Sequence, residues 1–270
     1  MELLAHLGLP LDQITMEAIA TKAYGWWVLV CLGILCGLVL FLRFVCFVVG
    51  RVFPQMSKME AVVAHHFWRV VRQISMVSID GGDLPHGVII SNHPSLVDFI
   101  VLSHNCPQYF TWFHLWHVPS VHGIWNMARA DENWKLSPMA EYQLSPHVKP
   151  PIVLFPEVNV FSDSALSVQN LYSQLAYGPQ YSKILHPRYM AVANMQRMAG
   201  GHRWYDATIR YNQPTPPTLI DAFTKPITAT VRWEPVEFAI REKRMRRQLE
   251  QIWQRKDQRL STTEVTEGLG

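Results

Sequence analysis

The segment 92–98 reads NHPSLVD and places a histidine five residues before an aspartate. A neutral imidazole can remove a proton from an alcohol, while a carboxylate at its other nitrogen fixes the tautomer and stabilises the imidazolium that forms. Such a pair activates a substrate hydroxyl without a nucleophile on the protein. We take His93 as the candidate general base and Asp98 as its orienting partner, although a surface histidine near a helix start would show the same spacing.

Two local elements must bring these side chains together. Residues 88–91 form a short apolar run that predicts a strand, and residues 96–103 predict a helix. A strand that ends just before His93 and leads into a helix lets the carboxylate loop back to the ring. Functional residues of α/β sheets tend to lie where strands end in loops, and Glu157 is at a second such place.

The rest of the chain alternates short apolar runs with helical patterns. Strands that alternate with helices predict an α/β domain with a single mixed, mostly parallel sheet flanked by helices. The further strands are predicted at 109–115, 151–155, 204–211 and 227–233, and the further helices at 56–71 and 164–177.

A membrane helix is predicted before this domain. Only 17% of the 270 residues are charged, against about 25% in soluble domains. Residues 24–42 carry no charge, and the apolar run resumes after Arg43, so a span of about 24–49 is long enough to cross a bilayer. We expect an uncleaved anchor rather than a cleaved signal peptide. Gly33 and Gly37 form a GxxxG pattern that could contact a partner helix.

Charge places the domain on one side of that membrane. Lys22 precedes the span, whereas Arg43, Arg51, Lys58, Arg69 and Arg72 follow it. The positive-inside bias predicts a catalytic domain facing the cytosol, although a helix that re-enters and leaves on the same face stays open. The net charge of +3 and the scattered tryptophans disfavour nucleic acid as a partner. Three of the four cysteines lie in the apolar stretch, which is no disulfide framework.

The predicted organisation has three parts. Residues 1–52 form an N-terminal segment with the anchor, residues 53–260 form the domain, and residues 261–270, with little apolar content, form a disordered tail. The domain ends in a basic amphipathic helix over 241–259 with a net charge of +5. This helix could lie on an anionic membrane surface, or it could cover the core and present a solvated basic face.

Several segments together resemble the glycerolipid acyltransferase family, whose members include the lysophosphatidic acid acyltransferases. The segment 92–98 resembles the NHxxxxD motif of this family, and residues 155–157, FPE, resemble the start of its FPEGTR motif. The segments 185–188 (LHPR) and 204–208 (WYDAT) resemble later motifs, and 253–257 (WQRKD) resembles the C-terminal motif of the eukaryotic lysocardiolipin acyltransferase-like branch. The resemblance covers about residues 62–259.

The resemblance implies transfer of a fatty acyl group from acyl-CoA, as co-substrate, to a hydroxyl of a lysophospholipid at a membrane such as the endoplasmic reticulum. No metal and no tightly bound cofactor is implied. His93 and Asp98 carry over as the base and its partner, and Glu157 as a residue that positions the acceptor. The further substrate-binding candidates are Asn159, Arg129, at the end of a loose match to the second motif over 123–129, and Arg188.

The chain departs from the family pattern after Glu157. Val158, Asn159 and Val160 replace Gly, Thr and Arg, and valine cannot supply the two parallel hydrogen bonds of a guanidinium to phosphate. The acceptor therefore differs from a simple phosphomonoester, or activity is reduced. An acceptor phosphate would have to use Arg129, Lys183 or Arg188. The alternative function is a catalytically inactive, acyltransferase-like lipid-binding or scaffolding protein.

Other motifs predict less. His114, His117 and His122 have a metal-like density, but their surroundings are aromatic and no carboxylate follows at a suitable spacing, so we expect no zinc site. The chain has no GxSxG, Walker or GxGxxG pattern, which disfavours an α/β-hydrolase, a nucleotide hydrolase and a Rossmann oxidoreductase.

Overall fold

The computed structural model describes residues 16–50, 57–81, 85–103, 109–112, 127–129, 152–157, 159–198, 201–239 and 241–267. Helices in these ranges are α1 (Met16–Gly50), α2 (Ser57–Ile74), α3 (Asp98–Leu102), α4 (Asp163–Leu175), α5 (Tyr189–Met198), α6 (Asp221–Thr224) and α7 (Glu242–Glu267). The strands are β1 (Val77–Asp80), β2 (Val88–Ser91), β3 (Tyr109–Trp112), β4 (Met127–Arg129), β5 (Ile152–Leu154), β6 (Trp204–Tyr211) and β7 (Ile227–Val236).

These strands form one sheet in the order β1-β7-β6-β2-β5-β3-β4. Neighbouring strands run parallel everywhere except between β6 and β7, which are antiparallel. This confirms the prediction of a single mixed, mostly parallel sheet flanked by helices. The strand β2 lies in the middle of the sheet and is buried along its whole length. The segment that follows β2 therefore begins at the centre of the sheet.

The helices cover both faces of the sheet. Side chains of a strand alternate between faces, so Ile89 joins one hydrophobic cluster while Val88 and Ile90 join the other. The first cluster contains side chains of α1, α2, α3 and α6, and the second contains side chains of α4, α5 and α7. A site at the end of β2 is consequently bordered by helices from both layers.

The N-terminal helix α1 packs on the first layer. Val28, Leu29 and Leu32 contact the core, and α1 approaches α6 so closely at Gly25 that a Cβ there would lie 2.5 Å from the side chain of Ile220. Among the described residues, no neighbouring element comes within 4 Å of a Cβ built on Gly33 or Gly37, so their helix partner stays a prediction. Along the described part of the chain, no helix combines the length and the hydropathy that crossing a membrane requires. Insertion of residues 24–49 stays a prediction.

The C-terminal helix α7 covers the second layer. Its apolar residues Met245, Leu249, Ile252 and Trp253 are buried in the core, which favours the interpretation of a capping helix with a solvated basic face. The helix continues to Glu267, and disorder of the tail over 261–270 stays a prediction. Near its C-terminal end, Ser261 Oγ donates to Asp257 O (2.8 Å), and Thr262 Oγ1 donates to Gln258 O (2.6 Å).

Candidate active site

The loop after β2 is fixed by Asn92. Its Nδ2 donates to the backbone oxygen of Ile209 over 2.9 Å, and the backbone N–H of Ile209 donates to its Oδ1 over 2.8 Å. Both hydrogen bonds are buried and join the loop to β6, the neighbouring strand. The amide therefore sets the direction in which the chain leaves β2. Sequence reasoning noted this asparagine only as part of a motif and gave it no role.

His93 and Asp98 meet as the spacing predicted. His93 Nδ1 lies 2.8 Å from Asp98 Oδ2, and both side chains are buried. Asp98 Oδ2 also accepts from the backbone N–H of Ser95 (3.0 Å), and Oδ1 accepts from the hydroxyl of Tyr211 (2.5 Å). Burial raises the pKa of Asp98, while the hydrogen bonds from His93, Tyr211 and Ser95 act to lower it. These donors favour the ionised carboxylate that orients the imidazole.

Aromatic rings fix the plane of the imidazole. The His93 ring stacks on Phe155, with centroids 4.2 Å apart and planes inclined by 24°, and meets the edge of Phe99 at 5.5 Å. Phe155 is the first residue of the FPE segment, so that segment packs directly against the base. Since Nδ1 faces Asp98, Nε2 is the nitrogen that can take a proton from a substrate hydroxyl.

Glu157 is fully buried, and each of its carboxyl oxygens accepts a hydrogen bond. Oε2 accepts from the backbone N–H of His93 (3.3 Å), and Oε1 accepts from the indole N–H of Trp253 (3.1 Å). Burial raises the pKa of Glu157 to about 8, in spite of the opposing influence of Lys256 and of these donors. The structure thus places Glu157 behind the base, and contact with an acceptor stays a prediction.

Lys256 is a buried cation beneath this site that sequence reasoning missed. Its Nζ lies 2.6 Å from Asp206 Oδ1, donates to the backbone oxygen of Ala207 (2.8 Å) and lies 4.3 Å from the centroid of the Trp253 ring. The WQRKD segment contained the clue, because residues three apart on a helix share a face. Trp253 and Lys256 are such a pair, and both point into the core.

The chain after Glu157 returns to the base. The backbone N–H of Asn159 donates to Glu157 O (2.8 Å), and that of Phe161 donates to His93 O (2.9 Å). Ser162 then caps α4 by accepting from the backbone N–H of Ala165 (3.2 Å). Both backbone polar groups of His93 are therefore hydrogen-bonded. Its N–H donates to Glu157, and its carbonyl oxygen accepts from Phe161. Asn159 lies near the site, and its contact with substrate stays a prediction.

The basic candidates are not gathered at one place. The backbone N–H of Arg188 donates to Pro156 O (2.7 Å), so this residue adjoins the FPE segment, and its side chain is half-buried beside a cavity. The backbone N–H of Lys183 donates to Asp257 Oδ1 (2.6 Å). Arg129 belongs to the edge strand β4, three strands away from β2, and its side chain lies outside the described residues. Val158, His114, His117 and His122 also lie outside them.

Comparisons with known proteins support the fold. No protein-family model and no curated protein sequence matches the chain. Its structure is similar to the crystal structure of the 1-acyl-sn-glycerophosphate (LPA) acyltransferase PlsC from Thermotoga maritima, with a TM-score of 0.51. That similarity covers 90% of this chain and 96% of the other, at 16% sequence identity. The chain therefore has the fold of a lysophosphatidic acid acyltransferase.

Proposed function

We propose that the protein is a membrane-bound acyltransferase that moves a fatty acyl group from acyl-CoA to the hydroxyl of a lysophospholipid. The observation that carries the proposal is the buried hydrogen bond of 2.8 Å between His93 and Asp98 at the end of the central strand. The fold shared with a lysophosphatidic acid acyltransferase supports it. The reaction serves phospholipid synthesis or remodelling.

The proposed reaction begins with proton transfer. His93 Nε2 removes the proton of the lysophospholipid hydroxyl as its oxygen attacks the thioester carbonyl, and Asp98 stabilises the imidazolium. The tetrahedral oxyanion then collapses, the carbon–sulfur bond breaks, and the imidazolium returns the proton to the CoA thiolate. The products are the acylated phospholipid and CoA, and the protein is unchanged. General base catalysis of this kind contributes about 10² to 10⁴ in rate, without a metal or a tightly bound cofactor.

The acceptor is a lysophospholipid with a head group larger than a phosphomonoester. Val160 supplies no phosphate ligand where the resembled motif has arginine. Arg188, adjoining Pro156, is the nearest described basic candidate for that role. The same departure favours the second candidate function, a catalytically inactive lipid-binding or scaffolding protein. The intact pair of His93 and Asp98 leads us to prefer the enzyme.

The proposed location is the endoplasmic reticulum membrane, with the catalytic domain on the cytosolic side. One side of α1 packs on the core, whereas its other side exposes large apolar residues to the surroundings. Contiguous exposed apolar surface is unfavourable in water and suits a bilayer. The exposed residues include Trp26, Trp27, Val30, Ile34 and Phe41.

The test is CoA release by the purified full chain with acyl-CoA and a panel of lysophospholipids that differ in head group. We expect release with at least one acceptor and a loss of about 10³-fold in His93→Ala. His202→Ala is the matched control, because His202 is exposed and belongs to a different surface. Absence of release with every acceptor, or equal release by His93→Ala, contradicts the enzyme. The inactive alternative then predicts that His93→Ala keeps the biological function.

A further inference from the structure

Ser95 lies in the turn between the candidate base and its aspartate, and it is buried. Its Oγ donates to the backbone oxygen of Pro217 over 2.5 Å and accepts from the backbone N–H of Val97 over 2.9 Å. Its backbone N–H donates to Asp98 Oδ2 over 3.0 Å. One serine thus connects the orienting carboxylate with a segment that lies 122 positions later in the chain.

The Ser95 hydroxyl fixes where α3 begins. The backbone N–H of Asp98 donates to Ser95 O (3.2 Å), and Asp98 is the first residue of α3. Ser95, Val97 and Asp98 are all buried, so water cannot easily replace a bond that is lost among them. A change in this turn therefore moves the Asp98 carboxylate relative to His93 Nδ1, which lies 2.8 Å from it.

The Pro217 oxygen is a well-fixed acceptor. Pro217 is buried, and its ring restricts φ. The next residue exchanges two hydrogen bonds with α6: the Thr218 N–H donates to Asp221 Oδ2 (2.9 Å), and the Asp221 N–H donates to Thr218 Oγ1 (3.3 Å). The backbone oxygen of Ala222 accepts from the N–H of Met76 (2.7 Å), just before β1. The position of the Pro217 oxygen therefore depends on the position of α6.

The N-terminal helix α1 packs against α6 at Gly25, which is buried. A Cβ on Gly25 would lie 2.5 Å from Ile220 Cγ2 and 2.8 Å from Thr224 Cγ2. Both side chains are branched at Cβ and have few rotamers, and Thr224 Oγ1 also donates to Ile220 O (3.0 Å). Within the described chain, no neighbouring element comes within 4 Å of a Cβ on Gly33. The close approach is thus a property of the Gly25 position.

We propose that Ser95 is a positioning residue that transmits the packing of α1 on α6 to the pair of His93 and Asp98. The contacts run from Gly25 to Ile220, along the chain to Pro217, and from the Pro217 oxygen through Ser95 to Asp98 Oδ2. The consequence for catalysis rests on the proposed function. In that function α1 is the membrane helix, so its seating on α6 keeps the pair in its catalytic geometry.

Ser95→Ala tests the central contact. In the full chain in detergent micelles, with ¹⁵N-labelled histidine, the His93 Nδ1 proton is the NMR signal that His93→Ala lacks. We expect Ser95→Ala to exchange this proton with water severalfold faster, and to lower kcat about tenfold with KM nearly unchanged. Ser103→Ala is the matched control and should change neither, because Ser103 is equally buried and donates to Ile100 O (2.7 Å) at the far end of α3.

Gly25→Ala tests the far end of the same contacts. The added methyl group cannot fit between the branched side chains of Ile220 and Thr224, so α1 and α6 must separate. We expect severalfold faster exchange of the His93 Nδ1 proton and a severalfold lower kcat. Gly33→Ala, on the same helix, is the control and should match the wild type in both measurements. Both variants should sediment with membranes as the wild type does.

The double variant tests whether the two ends are coupled. If α1 acts through Ser95, adding Gly25→Ala to Ser95→Ala should lower kcat no further, whereas independent effects multiply. Multiplied losses overturn the transmission through Ser95. Unchanged proton exchange in Ser95→Ala, or an equal change in Ser103→Ala, overturns the positioning role. Absence of CoA release by the wild type contradicts the proposed function alone, because proton exchange is measured without turnover.

Discussion

The indole N–H of Trp253 donates a hydrogen bond of 3.1 Å to Glu157, a residue 96 positions earlier in the chain. The other oxygen of Glu157 accepts from the backbone N–H of His93. One buried carboxyl group thus connects the C-terminal helix with the candidate base. This connection makes the position of His93 depend on an element of the opposite helical layer.

Trp253→Phe should slow catalysis while substrate binding is kept. The ring still fills the core, but Glu157 loses a donor and holds His93 less firmly, so we expect kcat to fall about tenfold with KM nearly unchanged. CoA release kinetics and the NMR signal of the His93 Nδ1 proton measure the effect. Trp204→Phe is the control, because Trp204 is also a buried tryptophan and packs on Phe238. Equal losses in both variants would mean that only packing was disturbed.

Glu157→Gln should change how stability depends on pH. The pKa of Glu157 is about 8 in the folded protein against 4.5 ordinarily, so the unfolded chain releases this proton at lower pH than the folded one. The wild type therefore loses stability as pH rises from 4.5 to 8, by roughly 1.4 kcal/mol per unit of pKa difference. Urea unfolding at several pH values should show this fall in the wild type and a flatter profile in Glu157→Gln.

The exposed residue Glu237 provides the control for that experiment. Glu237→Gln should keep the wild-type dependence of unfolding free energy on pH. If Glu157→Gln shows the same slope as Glu237→Gln between pH 4.5 and 8, the buried carboxyl group does not hold its proton in the folded state.

Lys256→Met should destabilise the protein by about 3–5 kcal/mol, since it leaves the Asp206 carboxylate buried without its cation. The double variant Lys256→Met with Asp206→Asn should recover part of that loss. Arg246→Met breaks an exposed ion pair and should cost less than about 1 kcal/mol. Chemical denaturation measures all three, and additive effects of the two buried substitutions would argue against a coupled pair.

Tyr211→Phe should shift the acid side of the pH–rate profile. The Tyr211 hydroxyl donates to Asp98 and acts to lower its pKa, so its removal raises that pKa further. The Asp98 carboxyl group then takes up a proton at higher pH, and we expect the acid limb of kcat/KM to move upward with about a tenfold lower kcat. Tyr205→Phe, on the same strand but packed on Trp233, should leave the limb in place.

Local patterns predicted much of the fold and the core of the site. The strand at 204–211 has the predicted bounds, and β2 ends where the apolar run ends. The pairing of His93 with Asp98 was also predictable, because both lie in one turn between a strand and a helix. The edge strand β1 was not predicted, because it has only four residues and these alternate between half-buried and exposed.

The partners of the pair could not be read from local patterns. Tyr211 is 113 positions from Asp98, and Lys256 is 49 positions from the Ala207 oxygen that it contacts. These contacts exist because β6 neighbours β2 and because α7 crosses the second layer. Which strands become neighbours depends on packing of the whole chain, and one sequence carries no direct record of that arrangement.

The late position of Trp253 bears on how the protein is made. Chain synthesis proceeds from the N-terminus and domains fold as units. The ribosome releases His93, Asp98 and Tyr211 well before it releases α7. A nascent or truncated chain that stops before Glu242 therefore has the histidine and its aspartate but no donor for Glu157 Oε1. Docking of α7 completes the hydrogen bonds around Glu157, and on the proposed function we expect incomplete chains to carry little acyl-transfer activity.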